Sequence, residues 1–391
     1  MPKDMPKHEL PFARAEYLER IARTRVAMAE RDLDLLIVSS PENILWLSGY
    51  QAKGIFTFQV LLVPLAGPVR LVTRAIETGN VVCMPDDAVI GEFVTYSDTQ
   101  SPVGTAVTLI KRAYPAARRL GVEKSNLYLG VARFEGLRDG LEGASWMDGS
   151  HLVDRLRLIK SPAEIALFRR AAAISDAAVR EAIGAVRVGT TDNEIAAIAM
   201  AGLLRHGSEY MATWPNVMAG WRGGLAHAGW TGMTIAPGEP VLLEFAASVH
   251  RYHAPLYRTV IAGPVNAEVR RVAECAVRAH DAALAALRPG ATLGAIDTAC
   301  RSVVVEAGCE RYAHSRFGYS IGVAFPPTWA QSLSTDVVPG SEEVALPNML
   351  FHILVYLLEP ARFGIGVSHT VLVTDTGLEE LTKTSKAPVF V

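Results

Sequence analysis

The sequence predicts an α+β protein of two domains: a smaller α/β domain over residues 1–156 and a larger α+β domain over 157–391. Three observations predict it. Up to about residue 155, short apolar runs alternate with amphipathic stretches, the pattern of an α/β layer. A composite helix start, Ser161-Pro162-Ala163-Glu164, then opens a segment of different character. From there the order is two helices, strands, two helices, strands, which reads as a doubled unit. A length of 391 residues suits two domains at roughly 100–200 residues each.

Taken in order, residues 13–33 have helical periodicity, and DLLIVSS (34–40) follows as a short apolar strand. NILWLSGY, FQVLLVPLAG and VRLVTRA continue with strand and turn signals. TAVTLIKRAYPAARRLGVEK (105–124) reads as a helix ending at Gly121, and LYLGV and a further helical segment come next. In the second domain Ser161 is a cap, Pro162 takes the first helical position and Glu164 puts an acid in the first turn. That helix runs to about 186, and Thr191-Asp192-Asn193-Glu194 starts another, to about His206. A strand-rich stretch covers 210–262. Within it EFAASVHRYHAPLYRTV (244–260) is a strand–turn–strand unit. Helices over roughly 266–287 and 293–308 follow, with strands around 316–324, 350–357 and 365–374.

Half the residues are hydrophobic and a fifth are charged, an ordinary globular balance. The net charge of −2 and the lack of a Lys/Arg run argue against a nucleic-acid partner. The start, MPKDMPKHELPF, lacks the apolar stretch of a signal peptide, and runs such as VLLVPLAGPV fall far short of the roughly 18 residues of a spanning helix. Cys83, Cys275, Cys300 and Cys309 have no CxxC spacing and read as free thiols. These features lead us to expect a soluble cytoplasmic protein that does not work at a membrane.

Several segments resemble a known family. RLIKSPAEIALFRRAAAISDAAV is similar to the linker and first helix of the creatinase, aminopeptidase P and prolidase superfamily, peptidase M24-like proteins with the pita-bread fold. VNAEVRRVAECAVRAHDAALAALRPGATLGAIDTACRSVVVEAG resembles its middle helices. FGYSIG, LPNMLFHI and GVSHTVLVTDTGLEELT resemble its last three strand motifs. The resemblance implies a creatinase-like α/β amino-terminal domain and a pita-bread catalytic domain. It also implies a homodimer in which a loop around GYQAKGIFTFQ (49–59), with Phe56 and Phe58, closes the partner's site.

Peptidases of this family hold two divalent metals with two Asp, one His and two Glu. In register, those positions here are Glu244, Pro255, Tyr319 in Gly318-Tyr319-Ser320-Ile321-Gly322, Leu354 and Ser368. One carboxylate remains, and Pro and Leu cannot ligate a hard cation. No metal or other cofactor is therefore expected. Strand alternation does bring His253 and Tyr257 to one face and His352 to the face of Leu354. A mononuclear site of Glu244, His253 and His352 stays open as an alternative.

The turn GYSIGVAFPPTW and the stretch RYHAPLYRT are closer to the metal-free creatinase and ectoine hydrolase branch. That resemblance implies a metal-independent hydrolase of an amidine or amide C–N bond. It puts the family's proton-transferring histidine at His227, within GGLAHAGWTGMTIAPGEPVLLE, with Glu244 as its acid–base partner. The creatinase carboxylates fall at Tyr257 and Ser368, so creatine is a poor fit. Candidate substrate-binding residues are His253, Tyr257, Tyr319, His352, Trp221, Arg222, Trp329, Phe56 and Ser368. Aromatic faces suit a delocalised cation such as an amidinium. Two alternatives remain: an Xaa-Pro aminopeptidase or prolidase-like peptidase, and a non-catalytic binding protein.

Overall fold

The structure is a computed structural model that describes residues 6–331 and 335–391. The chain divides into two compact units, Met1–Arg157 and Leu158–Val391.

The first unit contains α1 (Arg14–Glu30), β1 (Leu35–Val38), α2 (Pro41–Ser48), β2 (Val60–Pro64), β3 (Val69–Arg74), α3 (Thr78–Val82) and β4 (Ile90–Tyr96). It continues with α4 (Pro102–Ala113), β5 (Arg119–Val122), α5 (Val131–Gly140), β6 (Ser145–Asp148) and α6 (Leu152–Leu156). The strands form one sheet in the order β4-β3-β2-β1-β5-β6. Leu35, Ile37, Leu62, Val72, Leu120 and Val122 from its strands pack with Leu109 and Ile110 of α4.

Two expectations are corrected in this unit. NILWLSGY is mostly helix, within α2, not strand and turn. Ser40 caps that helix through Asn43 N, Pro41 takes the first turn, and Gly49 ends it at φ 75°. The carboxylate of Glu123, at the end of β5, accepts from Ser39 N (2.7 Å) and Ser40 N (2.8 Å). The segment 105–124 is not one helix. α4 stops at Ala113, before Pro115, and RLGV is an interior strand, parallel to its neighbours β1 and β6.

The second unit opens with α7 (Pro162–Ala185) and α8 (Asp192–Arg205), then β7 (Asn216–Ala219), β8 (Pro240–Val249) and β9 (Tyr252–Ile261). A second set follows: α9 (Ala267–Ala286), α10 (Leu293–Glu306), β10 (Gly318–Ser320), β11 (Leu350–Glu359) and β12 (Phe363–Val373). β13 (Leu378–Glu380) and β14 (Val389–Phe390) finish the chain. Both α7 and α8 begin with full capping boxes, Ser161 with Glu164 and Thr191 with Glu194.

The strands form two sheets, β14-β9-β8-β7 and β10-β11-β12-β13. α7 and α8 pack on the first, through residues such as Val179, Ile195 and Leu203 against Leu243, Phe245 and Val260. α9 and α10 pack on the second, through Val272, Ala276 and Ile296 against Phe351, Ile353 and Val371. Side-chain bonds tie β9 to β12 and so join the sheets. Thr259 Oγ1 donates to Gly366 O (2.9 Å) and accepts from Gly366 N (2.8 Å). Thr370 Oγ1 donates to Pro255 O at 2.8 Å. Among the described residues no helix is long and apolar enough to cross a membrane.

Candidate active site

β8 and β9 are joined by the two-residue turn His250-Arg251, both at positive φ (47° and 69°). Such a turn fixes the register of the hairpin. Glu244 on β8 then lies directly opposite Tyr257 on β9 and opposite Asn216 on β7. Cross-strand neighbours share a face, so the three side chains meet. Asn216 Nδ2 donates to Glu244 Oε2 at 2.7 Å, and the Tyr257 phenol also hydrogen-bonds the carboxyl. Glu244 is only 6% exposed. Burial pushes its pKa up from 4.5 to about 7, against the pull of these two neutral partners.

The second sheet supplies the other half. His352 on β11 faces Tyr319 on β10, with Nδ1 2.9 Å from Tyr319 Oη. Its Nε2 lies 2.6 Å from Ser368 Oγ on β12. Trp329 Nε1 donates to Tyr319 Oη at 2.8 Å, and Tyr257 N donates to Ser368 Oγ at 2.6 Å. The rings stack in a row. Tyr257 lies 6.0 Å from His352 and 5.9 Å from Tyr356, both nearly parallel. Tyr356 Oη donates to Gly223 O at 2.6 Å. Gly366 makes room for this row: a Cβ there would stand 2.6 Å from Tyr257 Cδ1. Burial holds His352 neutral, far below the usual histidine range, and raises the phenols of Tyr257 and Tyr319.

The donors present do not suit a two-metal centre. The positions where the family resemblance expects ligands carry Glu244, Pro255, Tyr319, Leu354 and Ser368. Pro255 has only its carbonyl, which accepts from Thr370, and Leu354 is apolar. Among the described residues no group of three or more His, Cys, Asp or Glu could hold a metal ion. The mononuclear alternative is not assembled either. Both ring nitrogens of His352 are engaged, as described, and so are both of His253. Ala212 N donates to His253 Nε2 (2.9 Å), and Nδ1 lies 2.9 Å from Arg251 O.

His253 is therefore a correction. It faces as alternation predicts, but its ring is buried and both its nitrogens meet backbone at the hairpin end, so neither is open to a ligand there. Arg258 is likewise structural: its guanidinium donates to the carbonyls of Ser368 (2.6 Å), Ser385 (2.7 Å), Tyr257 and Thr384. His369 turns the other way, toward Arg258 and His280. Glu359 pairs with Arg311 at 3.2 Å.

Tyr356 ties the cluster to the loop backbone at Gly223, but among the described residues no hydrogen bond joins the side chains of His227, Arg222 or Trp221 to it. His227 is exposed, at φ 58°, inside a turn closed by Ala228 N to Leu225 O. Among the described residues no hydrogen bond links it to Glu244. Arg222 braces the loop through Gly229 O (3.0 Å) and lies over the Trp221 ring, which is 44% exposed. Phe56, in the first unit, is exposed. The structure adds Asn216 and Tyr356, which sequence reading missed. Asn216 had a usable signal, an amide entering the strand before β8, but its pairing partner is remote in sequence.

The model of metallopeptidase family M24 matches residues 166–375, and that of the creatinase/prolidase N-terminal domain matches 20–159. An uncharacterized hydrolase/peptidase of Sinorhizobium fredii is 30% identical over 391 residues, covering 96% of this chain and 98% of that protein. An ectoine hydrolase of Halomonas elongata is 28% identical over 392 residues, covering 95% and 96%. The solved structure of an Xaa-Pro dipeptidase from Bacillus anthracis superposes with a TM-score of 0.84 at 21% identity, covering 96% of this chain and 100% of that one.

Proposed function

The chain belongs to metallopeptidase family M24, with a creatinase/prolidase N-terminal domain, and on that premise we propose that it hydrolyses a C–N bond of a small amidine- or amide-type metabolite without a metal. The observation that carries this reading is Glu244. It is the one carboxylate left among the expected ligand positions, buried between neutral partners, with a pKa near 7. A base with that pKa is half ionised at neutral pH, where proton transfer is most effective.

Glu244 takes a proton from water as the water oxygen bonds to the amidine or amide carbon. The electron pair of the attacked double bond moves onto its heteroatom. Collapse of the adduct then breaks the C–N bond, and the leaving nitrogen takes a proton. His227 is the proposed donor of that proton, from the loop before β8. The 28% identity to an ectoine hydrolase supports cyclic amidines as the first substrates to try.

The test is turnover by chelator-stripped protein of ectoine, hydroxyectoine, creatine and related cyclic amidines, followed by mass. Hydrolysis of one of them, lost in Glu244→Gln and weakened roughly 100-fold or more in His227→Ala, is the expected result. Unchanged activity in His227→Ala removes its acid role. Hydrolysis of Xaa-Pro dipeptides, restored only by added divalent metal, would overturn the reading in favour of a peptidase. Tight binding without turnover would favour a binding protein.

A further inference from the structure

The buried network on the second sheet has a direction, which hydrogen-bond accounting fixes. Ser368 is fully buried. Its oxygen accepts from Tyr257 N and lies 2.6 Å from His352 Nε2. Were the imidazole hydrogen on Nε2, Ser368 would accept twice and its own hydrogen would be buried without a partner. A buried polar hydrogen without an acceptor is strongly disfavoured. Ser368 therefore donates to Nε2. A neutral imidazole carries one hydrogen, so Nδ1 bears it and donates to Tyr319 Oη.

Tyr319 Oη also accepts from Trp329 Nε1. With both acceptor roles taken from within the protein, the hydroxyl hydrogen must be given elsewhere. The ring itself is held: the Arg316 guanidinium lies 4.4 Å over it, and Arg316 is fixed by Asp336 at 2.6 Å. Tyr319 keeps a little exposure, at 8%, and it lies within electrostatic reach of Glu244.

We propose that Tyr319 is the hydrogen-bond donor to substrate in this site, its hydroxyl hydrogen aimed by Ser368, His352 and Trp329 at the substrate atom that gains the electron pair when water adds to the carbon. Tyr319 is thereby a catalytic residue, and Ser368 and His352 are positioning residues. The chemical class follows. The substrate must present a lone pair there when water adds: a carbonyl oxygen, or an amidine nitrogen that gains its pair in the adduct. Burial raises the phenol's pKa, which keeps it neutral and so a donor across the working pH range. Its use on substrate rests on the C–N hydrolase reading above; the direction of the network does not.

The experiment has two arms. In the first, the full chain is labelled with 15N-histidine, and the ring nitrogens are read by NMR between about pH 5.5 and 8.5, where unperturbed histidines titrate. The signal displaced in Tyr319→Phe belongs to His352. It is expected to show Nδ1 protonated and Nε2 bare, without titrating. An Nε2-protonated ring, or one that titrates, would overturn the inference. In the second, Tyr319→Phe is expected to lower kcat roughly 100-fold on the substrate found above, the effect of losing one preorganised donor, with KM nearly unchanged. Should Tyr319→Phe not fold, Ser368→Ala is expected to lower kcat and Ser368→Thr to restore it. Full activity in Tyr319→Phe, alongside a dead Glu244→Gln, would sink the donor role and leave the base standing.

Discussion

A carboxyl group that ionises near 7 inside the fold and near 4.5 outside it leaves a signature in stability. Below pH 4.5 both states hold the proton and Glu244 is neutral in the balance. Between 4.5 and about 7 the unfolded chain releases its proton first, so stability falls as pH rises, and above about 7 the full penalty applies. The gap corresponds to about 3 kcal/mol. Glu244→Gln is therefore expected to melt above wild type at pH 8 and close to it at pH 4.5, while turnover falls by roughly 1,000-fold. A variant that melts lower at pH 8 would contradict the buried-acid assignment. In the wild type, kcat should rise with pH through about 7, as the base ionises. The places of Glu244, Tyr319 and Ser368 in the cluster were legible in the sequence, though their roles were not, because motif register gives a position without needing its contacts. Asn216 was not, since its meeting with Glu244 depends on the pairing of β7 with β8, 28 residues apart. His253 was misread because alternation reports the face of a strand and not what waits there. Near the hairpin end, the backbone of Ala212 and Arg251 takes both its nitrogens.

At the scale of elements, local chemistry sets the boundaries. The capping boxes made the starts of α7 and α8 readable, since each satisfies backbone donors with side chains a few residues away. Ser161→Ala should cost about 1 kcal/mol, measured by denaturant unfolding. A serine cap followed by proline, Ser40-Pro41, opens α2 without the glutamate that completes a capping box, and its apolar run resembles a strand and hid it. β5 was absorbed into a helix because RLGV is too short to show alternation, and only its place between β1 and β6 makes it a strand. The β8–β9 turn holds a histidine at the first of two positive-φ positions, where Asn fits better. His250→Asn keeps the bond from the backbone amide of residue 250 to Glu209, gives up the 3.9 Å approach of the imidazole to Glu209, and should stabilise by about 0.5 kcal/mol at most. A loss of stability there would mean that the imidazole has a use of its own.

At the scale of the catalytic unit, doubling makes the site. Each helix pair covers one sheet, and the polar cluster draws on β7, β8 and β9 from one and β10, β11 and β12 from the other. Thr259 and Thr370 join the sheets beside it. Thr259→Val leaves Gly366 N buried without its acceptor, which should cost about 2 kcal/mol. The order of helices and strands was readable from periodicity. The joining of the sheets was not, because it depends on side chains separated by more than a hundred residues. What the doubling positions is the centre where relatives of this fold are expected to hold metal, here filled by Glu244, aromatic rings and a directed chain of neutral donors. The most direct measurement is the metal content and the amidine turnover of one and the same chelator-treated preparation. Full turnover with metal far below one ion per chain is the result predicted. Turnover that vanishes on chelation and returns in proportion to bound divalent metal would contradict a metal-free active site.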